Sequence, residues 1–487
     1  MSAPAFQDKL GTKDSKHGMP SSDVERVDTE TASQQVGQVI NEIDATAVGV
    51  FGAAAAAGGE QFRVLGKWKA AIVLIHTEVG IGILSLPSVF QKIGLIPGFL
   101  AILGVGALST WTAYVTLLYW RRYPHIDNLP DALRVLSGNF LAAIGGVGLI
   151  INLSLACSSA TLGMSVALNT LTGHSMCTVA FIGFACLVCY ILCIPRTMNF
   201  VAYFSWPATI GIVVPIFIVI ISLAVDKPQT APVGWNREIK LWATPSFQDG
   251  FTAFLSVCYA FGGRQAFLMI MAEMKDPNRE YVPSLVILQA FAIPMYLITG
   301  GAIYGLAGDY VTSPAIGTAP ILCAKIAYGI LLLTLFATGL FYGHAGIKYL
   351  FTVVMCHVLK CPDQMTMNSF KSWTSWIGLT TFYWILVFIL ANAIPVFNSI
   401  IAVSSALFVA WFSFGFPGAF WLHLNWKEQF SSKRMIFLAF LSWGLVIMGA
   451  LLNTAGMYAS IDSLIDLFNN PDSGIDGPFT CADNSLF

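Results

Sequence analysis

The sequence predicts an all-α polytopic membrane protein with eleven transmembrane helices, the first and sixth of them interrupted. Three observations carry that fold class. Of the 487 residues, 56% are hydrophobic and only 10% are charged, where soluble domains carry about 25% charged residues. Eleven apolar runs approach or exceed the ~20 residues that a helix needs to cross a bilayer. Two of those runs contain closely spaced glycines beside a charged residue: Glu78 with Gly80 and Gly82, and Gly262-Gly263 with Arg264.

The runs lie at about 69–90, 96–120, 138–168, 176–194, 199–225, 249–272, 282–306, 320–350, 375–396, 399–423 and 434–456. The third and eighth are long enough to tilt. Pro395-Val396-Phe397-Asn398 sets a tight hairpin between the ninth and tenth. Cytosolic loops carry the excess of Lys and Arg. With the N-terminus inside, 19 of the 25 Lys and Arg fall in inner segments. Only 4 fall in outer ones (Lys92, Lys227, Arg237 and Lys240), and Arg264 and Lys325 lie within spans. An odd number of spans then puts the C-terminus outside.

The expected organisation is a disordered cytosolic tail over 1–66, a transmembrane transporter domain over 67–456 and an acidic extracytosolic tail over 457–487. The first tail is polar and no apolar core precedes Ala70, so no signal peptide is expected. A net charge of −1 offers no basic field for nucleic acid. The ten cysteines lack metal-ligand spacing; Cys157, Cys186, Cys189, Cys193 and Cys258 sit in apolar runs and read as packing. Cys177, Cys323 and Cys481 fall near the outer face, where a disulfide is an option whose pairing the sequence leaves open.

The first break, Thr77-Glu78-Val79-Gly80-Ile81-Gly82-Ile83-Leu84-Ser85-Leu86-Pro87, violates two rules of a spanning helix. A carboxylate at bilayer depth costs about 2.5 kcal/mol or more, and each glycine costs about 1 kcal/mol against alanine. Non-helical backbone at that depth is tolerated only where it is buried in protein or lines a cavity. The second break, Tyr259-Ala260-Phe261-Gly262-Gly263-Arg264-Gln265-Ala266-Phe267, comes five spans later. Five is odd, so the two broken helices run in opposite directions. Matched breaks of this kind mark the binding site of an inverted-repeat transporter. Unwinding frees N–H groups at one new helix end and C=O groups at the other. The first suit a carboxylate and the second an ammonium or a cation. Together they suit an α-amino acid better than a sugar or a nucleobase, with glycine letting the substrate approach the backbone.

These two stretches, with Met271-Ala272-Glu273-Met274-Lys275-Asp276-Pro277, resemble the amino acid/auxin permease family and, within it, the fungal neutral amino acid permeases. The resemblance covers about residues 65–456. It implies the five-plus-five inverted-repeat (LeuT-type) transporter fold. It also implies amino acid uptake, commonly coupled to protons and in some animal branches to sodium. The chain departs from the family at Thr77 and Glu78, where many relatives carry Asn near the first break, and at Arg264, where many carry His. Those departures bear on the coupling ion and on side-chain recognition.

Candidate substrate-binding residues are Thr77, Glu78, Gly80, Ile81, Gly82, Ser256, Tyr259, Phe261, Gly262, Gly263 and Arg264. Gly80, Ile81 and Gly82 offer backbone donors for the substrate carboxylate; the plainer alternative is close helix packing. Ser256, Cys258 and Tyr259 precede the second break, on the side expected for the amine or the side chain. Glu78 reads either as a proton-coupling carboxylate or as a structural acid paired with a neighbour. Arg264 is the available partner, and a permanent pair would make Glu78 a poor proton carrier. An unpaired Arg264 would instead favour acidic substrates.

Ion-coupling candidates are Glu78 and, as sodium ligands one turn apart in span eight, Thr334 and Thr338. Thr in a membrane helix more often bonds its own backbone. Cys157-Ser158-Ser159 and Thr161 form a small polar patch in span three, suited to cavity lining or to helix–helix bonding. His76 and His344 are the mid-span histidines, relays or packing residues. Lys348 is placed to snorkel, and Glu273, Lys275, Asp276 and Arg279 close span six on the cytosolic side.

The expected protein is a proton-coupled symporter of neutral L-amino acids, aromatic or aliphatic, working by alternating access. Its partners are the amino acid, the coupling ion (H+ in preference to Na+) and the lipid bilayer, with no cofactor. The plasma membrane is preferred to the vacuolar membrane. The alternatives are a sodium-coupled or acidic amino acid transporter and a non-transporting amino acid sensor. An enzyme is not expected, because the sequence carries neither metal-spaced histidines nor a nucleophile elbow. A channel would call for charge rings or a repeated filter.

Overall fold

A computed structural model of the protein describes residues 65–484 apart from 197, 233, 362–368, 395 and 470–476. The N-terminal tail up to residue 64, Pro395 of the expected hairpin, and 470–476 of the acidic tail lie outside the described residues.

The first apolar run folds as α1 (Lys67–Glu78), a 3-10 turn over Ile81–Ser85, and α2 (Leu86–Ile93). Then come α3 (Leu95–Arg122), the short α4 (Leu129–Ser137), α5 (Asn139–Thr172), α6 (Thr178–Leu192) and α7 (Met198–Val225). The second break separates α8 (Phe247–Ala260) from α9 (Arg264–Glu273). After it follow α10 (Pro277–Ala307), α11 (Ile321–Val353) and α12 (Phe370–Ala393). The chain continues through α13 (Phe397–Ser404), a π-helical stretch over Ser405–Gly415, α14 (Phe416–Leu424) and α15 (Lys433–Asn469).

Helix starts follow the sequence. Asn128, Ser246, Asp276 and Ser369 each accept a hydrogen bond from the backbone N–H three residues on, so each caps the helix it precedes. Among the described residues, ten helical segments are long and apolar enough to cross a membrane. The run expected at 176–194 is the 15-residue α6, about 22 Å long at 1.5 Å per residue, against a hydrocarbon core of about 30 Å. The last helix continues to Asn469, past the expected end of its span at 456.

The interrupted spans form the centre. The apolar stretches of the first and sixth spans are 94% and 83% buried, against 28% for α15. On one side of them α10 packs against α1 and α3; on the other α11 packs against α5 and α7.

The disulfide left open by the sequence joins Cys177, just before α6, to Cys481 in the C-terminal tail, while Cys323 is free. The tail lies against the bundle end. Thr178 Oγ1 donates to the Ala482 carbonyl (2.6 Å), and the Phe479 N–H donates to the Asn392 carbonyl (3.0 Å). Asn484 accepts from Asn169 Nδ2 (2.6 Å) and donates to Ser165 Oγ (2.8 Å), both on α5.

Candidate substrate cavity between the two broken helices

The two breaks face one another across a cavity with about 400 Å³ of atom-free space, open solvent included. From the first break it is lined by Thr77, Glu78, Gly80, Ile81 and Gly82, and from the second by Tyr259, Gly262, Gly263 and Gln265. Asn152 and Ala156 on α5, Thr338 and Tyr342 on α11, and Val409 in the π-helical stretch close the opposite wall.

The glycines allow this close approach. A Cβ on Gly82 would lie 3.0 Å from the Tyr259 ring and 3.1 Å from the Ala260 Cα. Gly263 has φ +88, a left-handed conformation that L side chains rarely adopt, and a Cβ there would meet the Thr77 carbonyl oxygen at 3.0 Å.

Carbonyls released at the breaks are held by tyrosines from neighbouring helices. The Tyr342 hydroxyl donates to the Thr77 carbonyl at 2.7 Å. The Tyr296 hydroxyl, on α10, lies 2.9 Å from the Glu78 carbonyl and 2.5 Å from the Ala260 carbonyl, so it bridges the ends of α1 and α8. Tyr342 thus serves the Thr77 carbonyl, and Tyr296 shares its single hydrogen between the Glu78 and Ala260 carbonyls.

Glu78 and Arg264 are paired. Arg264 Nη1 lies 3.2 Å from Glu78 Oε2, and both side chains are buried. Gln289 Nε2 on α10 donates to Glu78 Oε1 at 3.0 Å, and Arg264 Nη2 donates to Ser109 Oγ on α3. The guanidinium also lies 4.5 Å from the Phe267 ring centroid, a favourable cation–π contact. The pair thus joins the C-terminal end of α1 to the N-terminal end of α9 and braces both against α3 and α10.

Four of the predicted residues do not line the cavity. Arg264 is turned to Glu78 and Ser109. Phe261 packs edge-on against Tyr296, centroids 4.9 Å apart. Ser256 donates to the Thr252 carbonyl and lines a separate cavity with Ser88 and Lys92. Thr334 donates to the Ala208 carbonyl on α7 at 2.7 Å, in a contact where a Cβ on Gly211 would sit 2.6 Å from its hydroxyl. Thr338 lines the cavity but donates to the Thr334 carbonyl at 2.9 Å, as Thr in membrane helices commonly does.

In the polar patch of span three, Ser158 bonds Ser154 and Val387 carbonyls and Thr161 bonds the Ser158 carbonyl, both holding helix to helix or turn to turn. Ser159 Oγ reaches the Tyr259 hydroxyl at 3.1 Å. His76 packs edge-on to Phe341, and His344 beside Trp376. Lys348 forms an ion pair with Glu273 at 2.7 Å.

Sequence reasoning missed Asn152, Ala156, Tyr342, Val409 and Gln265 in the wall and Ser109, Gln289 and Tyr296 behind it. The available signal was cost: Asn152 and Gln289 are amides inside apolar runs, and such residues tend to face a bundle interior or a cavity.

An all-helical membrane bundle whose two interrupted helices enclose a cavity is the architecture of polytopic membrane transporters. The family described as "Transmembrane amino acid transporter protein" matches residues 63–462, and the chain belongs to that family. Among characterised sequences it is similar to the "N amino acid transport system protein" of Neurospora crassa, 27% identical over 435 residues, covering 87% of this chain and 90% of that protein. It is also similar to a "Transmembrane transporter" of Gibberella moniliformis, 27% identical, covering 88% of this chain and 90% of that one. A protein of the same description from Fusarium pseudograminearum is 27% identical, with 88% and 89% covered.

Proposed function

We propose that the protein is a secondary active transporter that carries neutral L-amino acids by alternating access, with the proton as coupling ion. The observation that carries this reading is the cavity bounded by both breaks. Backbone donors at Gly80, Ile81 and Gly82, and at the start of α9 around Gly263 and Gln265, suit a substrate carboxylate. The C-terminal end of α1, at Thr77 and Glu78, suits an ammonium. The opposite directions of the two broken spans support the five-plus-five inverted repeat.

Zero net substrate charge fits the electrostatics. Glu78 is the charged residue of the cavity wall, and Arg264 neutralises it from behind. That leaves Arg264 engaged and unable to meet a second carboxylate. The printed name of the Neurospora crassa relative supports an amino acid as cargo. A proton is favoured over sodium because the cavity wall holds the Glu78 carboxylate, whereas Thr334, one of the two sodium candidates, does not line it. Glu78 is the acid a proton would reach once Arg264 moves away during the cycle. The disulfide between Cys177 and Cys481 supports an outside C-terminus, since disulfides persist in oxidising compartments. With the 19 to 4 charge split, it favours a cytosolic N-terminus.

The test is uptake by the purified protein in liposomes, using a labelled amino acid panel under imposed pH or sodium gradients. Accumulation of neutral amino acids driven by an inward proton gradient is expected. Absence of uptake of every amino acid under every gradient overturns the proposal, and accumulation driven by sodium alone overturns its choice of ion.

A further inference from the structure

Most polar side chains of the cavity wall are already in use. Thr77 donates to the Val73 carbonyl, Thr338 to Thr334, Tyr342 to Thr77, and Tyr259 shares its hydroxyl with Ser159. Apart from the Glu78 carboxylate facing Arg264, two lining side chains keep a buried polar atom with no partner: Asn152 Nδ2 and Gln265 Oε1. Both residues are at least nine-tenths buried, at 1% and 3% exposure.

Asn152 has a defined orientation. Ser404 on α13 donates to its Oδ1 at 3.2 Å, which leaves the amino group as the unmet atom. As oriented, the wall presents one donor from α5 and one acceptor from α9, and each amide carries both functions, so a carboxamide substrate is matched whichever way the two amides turn. The backbone of the two breaks already matches the amine and carboxylate common to all amino acids, so these two atoms are left for what differs among them. A carboxamide side chain offers its carbonyl oxygen to Asn152 and an N–H to Gln265. A hydroxyl offers both functions through one atom. An aliphatic side chain offers neither and leaves both amides desolvated and unpaired, the situation that gives hydrogen-bonding sites their strongest discrimination.

We infer that the cavity selects amino acids with uncharged hydrogen-bonding side chains, carboxamides first, and that Asn152 and Gln265 are the residues that set this preference. Ser404 acts as a positioning residue by fixing the Asn152 amide. The inference rests on the transport reading above and narrows its substrate class.

The experiment compares glutamine with leucine in proteoliposomes. Wild type should show a KM for glutamine about tenfold below that for leucine. Asn152→Leu and Gln265→Met should each lower the preference for glutamine over leucine, read as the ratio of the two values of kcat/KM, about tenfold. Ser404→Ala should raise the glutamine KM while the maximal rate for leucine holds. A wild-type preference for leucine, or equal losses on both substrates in the two amide variants, overturns the inference; equal losses would mean that the amides hold the common amine and carboxylate. A thermal-shift titration of the detergent-solubilised wild type needs no variant and no transport. Stabilisation by glutamine at concentrations where leucine has no effect supports the site even if uptake fails, and equal or absent shifts overturn it.

Discussion

At the scale of single residues, Glu78 and Arg264 matter most because each makes the other tolerable. Removing one partner of a buried pair leaves an uncompensated charge and costs about 3–5 kcal/mol, whereas replacing both is often close to neutral. Glu78→Gln alone is expected to lower the melting temperature and the folded yield in size-exclusion chromatography, and Glu78→Gln with Arg264→Gln should regain most of the loss. A double variant as damaged as the single one would show that the two side chains act separately. The single variant also reads out coupling: if it folds and pH-driven accumulation persists, Glu78 serves structure and not proton transfer. The pair was legible as an option because Glu and Arg stand out in apolar runs. Gln289 and Ser109, which complete it, lie on α10 and α3, and no local pattern links them to the breaks. The same holds for Asn152, an amide in the middle of the long apolar α5.

At the scale of elements, both breaks were legible from glycine spacing, and the structure interrupts the helices after Glu78 and after Ala260. What holds the broken ends was not legible, since Tyr296 belongs to a span with no break. Its hydroxyl is shared between the Glu78 and Ala260 carbonyls, so Tyr296→Phe removes the one donor that both use. A loss of about 1–3 kcal/mol is expected for a buried group left unmet, seen as a lower melting temperature with a larger drop in uptake rate. Unchanged stability and transport would mean that water replaces the phenol. The π-helical stretch over Ser405–Gly415 was also unforeseen, because span ten reads as an ordinary apolar run. It brings Val409 to the cavity wall, in keeping with the association of π-helical turns with functional sites.

At the scale of the whole molecule, charge distribution and hydropathy gave the bundle, and the contacts between distant segments came only from the structure. The C-terminal tail is the clearest case. A sequence separation of 304 residues is closed by the Cys177–Cys481 bond, and Asn484 reaches Ser165 and Asn169 on α5. Disulfides commonly contribute about 2–4 kcal/mol, so Cys481→Ser should lower the melting temperature under oxidising conditions and have no effect once a reductant is present. Equal melting in both cases would show that the bond does not form in the mature protein.

The hydrogen bonds around the cavity also divide the bundle into two working parts. Glu78, Arg264, Ser109, Gln289 and Tyr296 rivet α1, α3, α8, α9 and α10 into one block. At the cavity, that block is latched to α5 and α11 through two phenol hydroxyls, Tyr259 to Ser159 and Tyr342 to Thr77. A hydroxyl turns about a single bond and trades partners without disturbing the backbone. The seam along which such a machine would open is therefore fastened by its most easily released pins, and they stand at the place where a substrate would push.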